Sequence, residues 1–127
     1  MKFLGIDYGK KRVGLALSHE KESLALPEKV LVNDRNLVEK IRQICREKGV
    51  EAIVLGESLN FEGGQNPLME DILDIKNKLE LDLNIPIYLE PEFLTTKQAS
   101  SIQKEDELTD ARAAAIILQS FLDKRKQ

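Results

Sequence analysis

Apolar positions along the chain recur with two spacings, and the switches between them divide it into elements. Residues 3 to 6, Phe-Leu-Gly-Ile, form a short apolar run of the kind found in a central strand covered on both faces, and Val13 to Leu17 resumes it after Tyr8-Gly9-Lys10-Lys11. The pair reads as two strands folded back on each other, with Gly9 able to take the positive φ that a tight reversal often requires. Ser23 to Val32 carries Leu24, Leu26, Val30 and Val32 but is broken by Pro27, the mark of an irregular or edge strand. Asn33-Asp34 offers N-cap chemistry, and Leu37, Val38, Ile41, Ile44 and Cys45 then follow the spacing of one helical face up to a stop at Gly49. Ala52 to Leu55 is a compact buried-strand run ended by Gly56, followed by a polar loop from Glu57 to Gln65. Asn66-Pro67 starts a second helix with Leu68, Ile72, Ile75 and Leu79 on its stripe. Ile87-Tyr88-Leu89 reads as a fifth strand running into Glu90-Pro91-Glu92. A capping box at Thr95 to Gln98 opens a short helix, and a last helix from near Thr109-Asp110 presents Ala111, Ala114, Ala115, Leu118, Phe121 and Leu122. The Lys124-Arg125-Lys126 tail reads as a solvated end. The order β-β-β-α-β-α-β-α-α predicts an α/β fold, a mixed five-stranded sheet with helices on both faces.

Composition narrows the function classes. At 127 residues the expectation is a single domain over residues 1–127, and 42% hydrophobic with 32% charged residues describes a soluble globular chain. A formal net charge of -3 argues against non-specific coating of nucleic acid, while leaving room for a local basic patch. Cys45 is the single cysteine, which removes disulfides and cysteine-based metal sites and reads as a core thiol. His19 is the single histidine, so Ser-His and Cys-His catalysis has little support. No signal-peptide pattern is present and no apolar run approaches the ~20 residues of a membrane span, so a reducing cytoplasm is the expected location.

The chemistry-bearing pattern is a set of carboxylates at strand and helix ends. In sheets with parallel crossovers, ligands gather beyond the carboxyl ends of the strands, and Asp7 and Glu92 both fall there. Phe3, Gly5 and Asp7 share one face of the first strand by alternation, as Glu90 and Glu92 do on the last. Asp110 heads the final helical stripe. Acids gathered this way repel unless a cation joins them, and oxygen donors suit Mg²⁺ or Mn²⁺; a pair of such ions about 3.5 to 4 Å apart activates water in phosphodiester cleavage. The same residues also fit an Asp capping its own turn, a solvated strand end and a first-turn acid favoured by the helix dipole.

Taken together these motifs resemble the YqgF family, also called the RuvX or pre-16S rRNA nuclease family, whose fold is RNase H-like. Gly5-Ile-Asp7-Tyr-Gly9-Lys-Lys-Arg12-Val-Gly14-Leu-Ala16-Leu-Ser18 is similar to its opening signature, and this is the most specific match. Val54-Leu-Gly56 with Leu59-Asn60 and Gly63 resembles its central strand and loop, Leu94-Thr95-Thr96 with Ala99 the stretch after its acidic strand, and Asp110 to Gln119 its last helix. The resemblance implies Asp7, Glu92 and Asp110 as the catalytic, metal-binding acids. Where the family usually has Asp-Glu-Arg, this chain has Pro91-Glu92-Phe93, and Glu90 becomes a candidate replacement for the lost acid.

The expectation is therefore a metal-dependent endonuclease, using Mg²⁺ or Mn²⁺, that processes the 5′ end of pre-16S ribosomal RNA in ribosome biogenesis. Lys10, Lys11, Arg12, Asn60, Thr95 and Thr96 are its expected nucleic-acid contacts, a structured rRNA precursor its partner, and a monomer or weak homodimer its state. Two alternatives stand beside it: a Holliday junction resolvase acting on DNA four-way junctions, and a non-catalytic RNA-binding protein of the same fold. An actin-like kinase would need two large domains around its nucleotide, and 127 residues supply one small one.

Overall fold

The computed structural model describes residues 1–19, 24–59, 68–93 and 107–125, with the side chains at 19, 58, 59, 92, 93 and 107–109 outside that description. Its strands are β1 (Phe3–Tyr8), β2 (Arg12–His19), β3 (Leu24–Val32), β4 (Ala52–Leu59) and β5 (Ile87–Phe93). Its helices are α1 (Leu37–Lys48), α2 (Leu68–Leu83) and α3 (Glu107–Arg125). One five-stranded sheet runs in the order β3-β2-β1-β4-β5. β1 is antiparallel to β2 and parallel to β4, and β4 is parallel to β5. The apolar run at residues 3 to 6 thus becomes the central strand, paired on both sides as its composition requires. Pro27 and Pro91 fall on the two edge strands, where a missing N–H is tolerated. At Pro27 the β2–β3 register slips between Leu15 and Ala16.

The two faces of the sheet bury different things. Leu4, Ile6, Val13, Leu15, Ile53, Leu55 and Ile87 form one apolar cluster with Leu37, Ile41, Ile44 and Cys45 of α1 and Met69, Ile72, Ile75 and Leu79 of α2. The opposite face has Phe3, Ala16, Ala25, Ala52 and Val54 packed against Ala114, Ile117, Leu118 and Leu122 of α3. Small residues dominate this second face, so α3 lies very close to the strands. A Cβ on Gly5 would come within 2.7 Å of Leu118 Cβ, and a Cβ on Gly14 within 2.0 Å of the Asp110 carbonyl oxygen. Ala25 N–H donates to Gln119 Oε1 at 2.9 Å, tying β3 to the middle of the helix.

Several local expectations change. Gly49 caps α1 in the left-handed conformation at φ 67°, as expected of a helix stop. Gly9 is not at positive φ; a Cβ there would meet the Arg12 carbonyl oxygen at 2.6 Å, so glycine is required by close approach within the turn. Asp34 does not cap α1, which has Asn36 at its N-cap without a side-chain bond. Asp34 Oδ1 instead accepts from Asn36 N–H at 2.9 Å in a turn before the helix. Gly56 does not end β4, which continues to Leu59 with Gly56 opposite Glu90. The last helix starts at Glu107, and Ile117 joins its buried stripe. The basic tail is not simply solvated: Lys124 and Arg125 belong to α3, with Lys124 Nζ 2.7 Å from Glu90 Oε2 and the Arg125 guanidinium over the Phe3 and Phe121 rings. The helix starts expected at Asn66-Pro67 and at Thr95 lie outside the described residues.

Cys45 is the core thiol expected from its place on the stripe, and burial raises its pKa from 9.0 to about 11. Its thiolate is disfavoured in the folded state. The stability linked to it is therefore complete below about pH 9 and is lost as pH rises toward 11. At pH 8 iodoacetamide should label the native protein at least about a hundredfold more slowly than the urea-unfolded chain. Equal labelling rates would show the thiol to be accessible.

Candidate active site

The geometry starts from the β1–β2 hairpin. Asp7 is the penultimate residue of β1, half-buried, on the same face of the strand as Phe3 and Gly5, and its partner across the hairpin is Gly14. Gly14 lies directly beneath the backbone of Asp110. Asp7 is thus one strand away from the residue on which the first turn of α3 rests, and Asp7 and Asp110 reach the same end of the sheet from different elements.

Between the strands, the turn lines an open recess of about 260 Å³ with Gly9, Lys10, Lys11 and Arg12 on one side and Asp110 on the other. Lys10 and Lys11 are exposed there. Arg12 Nε lies 2.8 Å from Asp110 Oδ2, the two side chains being 29% and 25% exposed. Oδ2 itself is shielded from solvent, and no donor among the described residues is aligned for a hydrogen bond to it. The Arg12 contact is therefore an ion pair set by proximity, short of a well-directed hydrogen bond. A shielded carboxylate oxygen without an aligned donor is a fitting ligand for a hard divalent cation.

Glu92 lies on β5 opposite Ser58 of β4, at the same carboxyl end of the parallel strands as Asp7; its side chain is outside the description. Among the described residues no three His, Cys, Asp or Glu side chains converge. Glu90, considered as a fourth ligand, has other partners. It is buried to 3% exposure, and its Oε2 accepts from Ser120 Oγ and Lys124 Nζ, both at 2.7 Å. Those residues lie about ten or more positions beyond Asp110 on α3, some 15 Å along the axis, so Glu90 pins β5 to the far part of the helix. Asn60, Thr95 and Thr96 lie outside the described residues.

Two features of the site were not anticipated from the residues. Gly14 is the seat of α3, and hairpin register alone pairs it with Asp7, since a turn centred on Lys10-Lys11 sets residues summing to 21 opposite each other. The Arg12–Asp110 pair joins residues 98 apart, which no local pattern reveals.

The sequence model of the RuvX family, described as Holliday junction resolvase, matches residues 1–124. The chain belongs to the RuvX family. Relatives of this RuvX chain include a protein of Syntrophus aciditrophicus named "Putative pre-16S rRNA nuclease", 37% identical over 97% of this chain and 89% of that protein. One of Orientia tsutsugamushi bearing the same name is 33% identical over 99% and 85%. Among solved structures, Thermus thermophilus RuvC aligns with a TM-score of 0.65 at 14% identity over 99% of this chain and 96% of that one. The Fowlpox virus resolvase in complex with substrate Holliday junction DNA aligns at 0.60 and 9% identity over the whole of both. These likenesses carry the fold, a RuvC-like, RNase H-type mixed sheet, as the opening signature implied.

Proposed function

We propose that this RuvX-family nuclease hydrolyses phosphodiester bonds at the 5′ end of the 16S ribosomal RNA precursor, with Asp7, Glu92 and Asp110 holding Mg²⁺ or Mn²⁺. The observation that carries the reading is Asp110 Oδ2, a shielded carboxylate oxygen on a residue whose backbone is seated on Gly14, the partner of Asp7 across the hairpin. A divalent cation there would neutralise the clustered acids and supply an activated water and charge stabilisation in phosphodiester cleavage. The chain's own residues do the rest. β1 and α3 fix the two acids on rigid elements, and Lys10 and Lys11 on the open side of the recess neutralise backbone phosphates beside them. Asn60, Thr95 and Thr96 are the further nucleic-acid contacts that the family resemblance implies. With a net charge of -3, this local patch and not the overall field binds nucleic acid. The rRNA substrate is supported by relatives of that name at up to 37% identity over nearly the whole chain. Residues 1–127 act as one nuclease domain in the cytoplasm, as a monomer or weak homodimer. Among the described residues no helix is long and apolar enough to cross a membrane.

A second reading, resolution of DNA four-way junctions, is favoured by the description of the family itself. The deciding experiment offers purified protein a pre-16S 5′ fragment and a four-way junction, each with Mg²⁺, Mn²⁺ or EDTA. The expected result is RNA cleavage that EDTA abolishes and either ion restores. Preferential junction cleavage would replace the rRNA reading with the resolvase one, and cleavage persisting in EDTA would remove the metal. Binding of RNA without cleavage under any condition would point to a non-catalytic binding protein, with Pro91-Glu92-Phe93 as the departure responsible.

A further inference from the structure

The turn that carries Arg12 is held by a neighbouring segment. Asn33 N–H donates to the Lys11 carbonyl oxygen at 2.9 Å, and Asn33 Nδ2 donates to the Gly9 carbonyl oxygen at 2.7 Å. Gly9 in turn has no room for a Cβ against Arg12. Arg12 also opens β2, where it pairs with Val32 of β3. On the other side, Asp110 rides on a helix seated directly on Gly14. Two pinned backbones thus face each other, and the Arg12 side chain brings Nε to 2.8 Å from Asp110 Oδ2.

We infer that Arg12 is a positioning residue that serves as the internal counter-ion of Asp110 and competes with a divalent cation for Oδ2. The inference rests on Asp110 being a metal ligand, as proposed above. Its physical basis is repulsion between like charges. A guanidinium and a metal ion brought to the same carboxylate oxygen repel each other, so each weakens the other's hold on it. The pair is poorly aligned and about a quarter exposed on each side, which makes it weak enough to exchange. Arg12 therefore keeps Asp110 neutralised before the cation arrives and lowers the site's affinity for it. The cation that displaces it must supply more than a surface ion pair does, which selects a divalent ion over a monovalent one.

The test is Mn²⁺ binding measured by calorimetry on wild type, Arg12→Gln and Lys11→Gln, with no nucleic acid present. Lys11→Gln removes the same charge from the same turn without touching Asp110. Arg12→Gln should bind Mn²⁺ roughly three- to tenfold more tightly than wild type, and Lys11→Gln should shift the affinity by less than about twofold. In EDTA, Arg12→Gln should melt a few degrees below wild type, and Mn²⁺ should raise its melting temperature by more than it raises that of wild type. That melting curve also establishes that the variant folds. Equal tightening in the two variants would reduce Arg12 to one charge among three and overturn the inference. Weaker Mn²⁺ binding by Arg12→Gln would also overturn it, making Arg12 a support for the ligand and not its competitor. No Mn²⁺ binding by any of the three folded proteins would remove the metal reading itself.

Discussion

Replacing Asp7 with Asn is expected to lower the rate of RNA cleavage by at least about a thousandfold while leaving the fold intact. Asparagine keeps the shape of the side chain and so disturbs neither the β1–β2 pairing nor the nearby helix; what it removes is the negative charge. In the proposed site of three carboxylates a cation would lose one ligand and a unit of attraction, so Mn²⁺ affinity should fall by about tenfold or more in the same variant. The stability change should stay within about 1 kcal/mol, because Asp7 is half-buried at a strand end where water reaches it. Urea melting checks the fold, calorimetry the ion and a pre-16S fragment the cleavage. A folded Asp7→Asn protein that cleaves at the wild-type rate would sink the three-carboxylate site. One that loses cleavage with unchanged Mn²⁺ affinity would keep Asp7 catalytic but take it away from the metal.

Much of this arrangement could be read from residue patterns, and the parts that could not share a cause. Strands β1 and β2, the stripe of α1 and its stop at Gly49 are written in spacings of two or of three to four, because each is a local consequence of burying one side of an element. Asp7 was legible for the same reason: it is the charged residue that ends an apolar strand. Gly56 looks like a terminator because glycine often marks a strand end, yet it lies inside β4 beside Glu90. Lys124 and Arg125 read as a solvated tail, but a buried Glu90 on β5 and the Phe3 ring on β1 give them partners from strands distant in sequence, beside the Phe121 ring one turn back on α3 itself. Glu90 was drawn toward the site by its spacing from Glu92, and Ser120 and Lys124 show it to be a tie between β5 and α3. In each case the deciding contact spans tens of residues, and single-segment periodicity carries no information about it.

Substituting Gly14 by Ala should destabilise the protein by about 3 kcal/mol or more, a large share of the stability of a domain of this size. Two effects oppose each other. Alanine in a strand gains up to about 1 kcal/mol over glycine by restricting the unfolded chain. Against this, its Cβ would lie 2.0 Å from the Asp110 carbonyl oxygen and 2.5 Å from the carbonyl carbon, and both are backbone atoms that cannot rotate away. The clash wins, because relief requires moving the first turn of α3 off the sheet. Gly5 shows the same close approach further along β1, at 2.7 Å from Leu118 Cβ, so the helix cannot slide toward that end to make room. Lifting its start would separate Asp110 from both Arg12 and the end of β1. The variant should therefore lose Mn²⁺ affinity along with about 10 °C of melting temperature. Gly14→Ala melting within about 2 °C of wild type and binding Mn²⁺ equally well would mean that α3 is not held by this contact, and that the placing of Asp110 must come from elsewhere. Loss of stability with unchanged Mn²⁺ affinity would mean that the helix can shift without disturbing the acid. The joint loss is expected because the glycine that lets the helix dock is also the residue paired with Asp7.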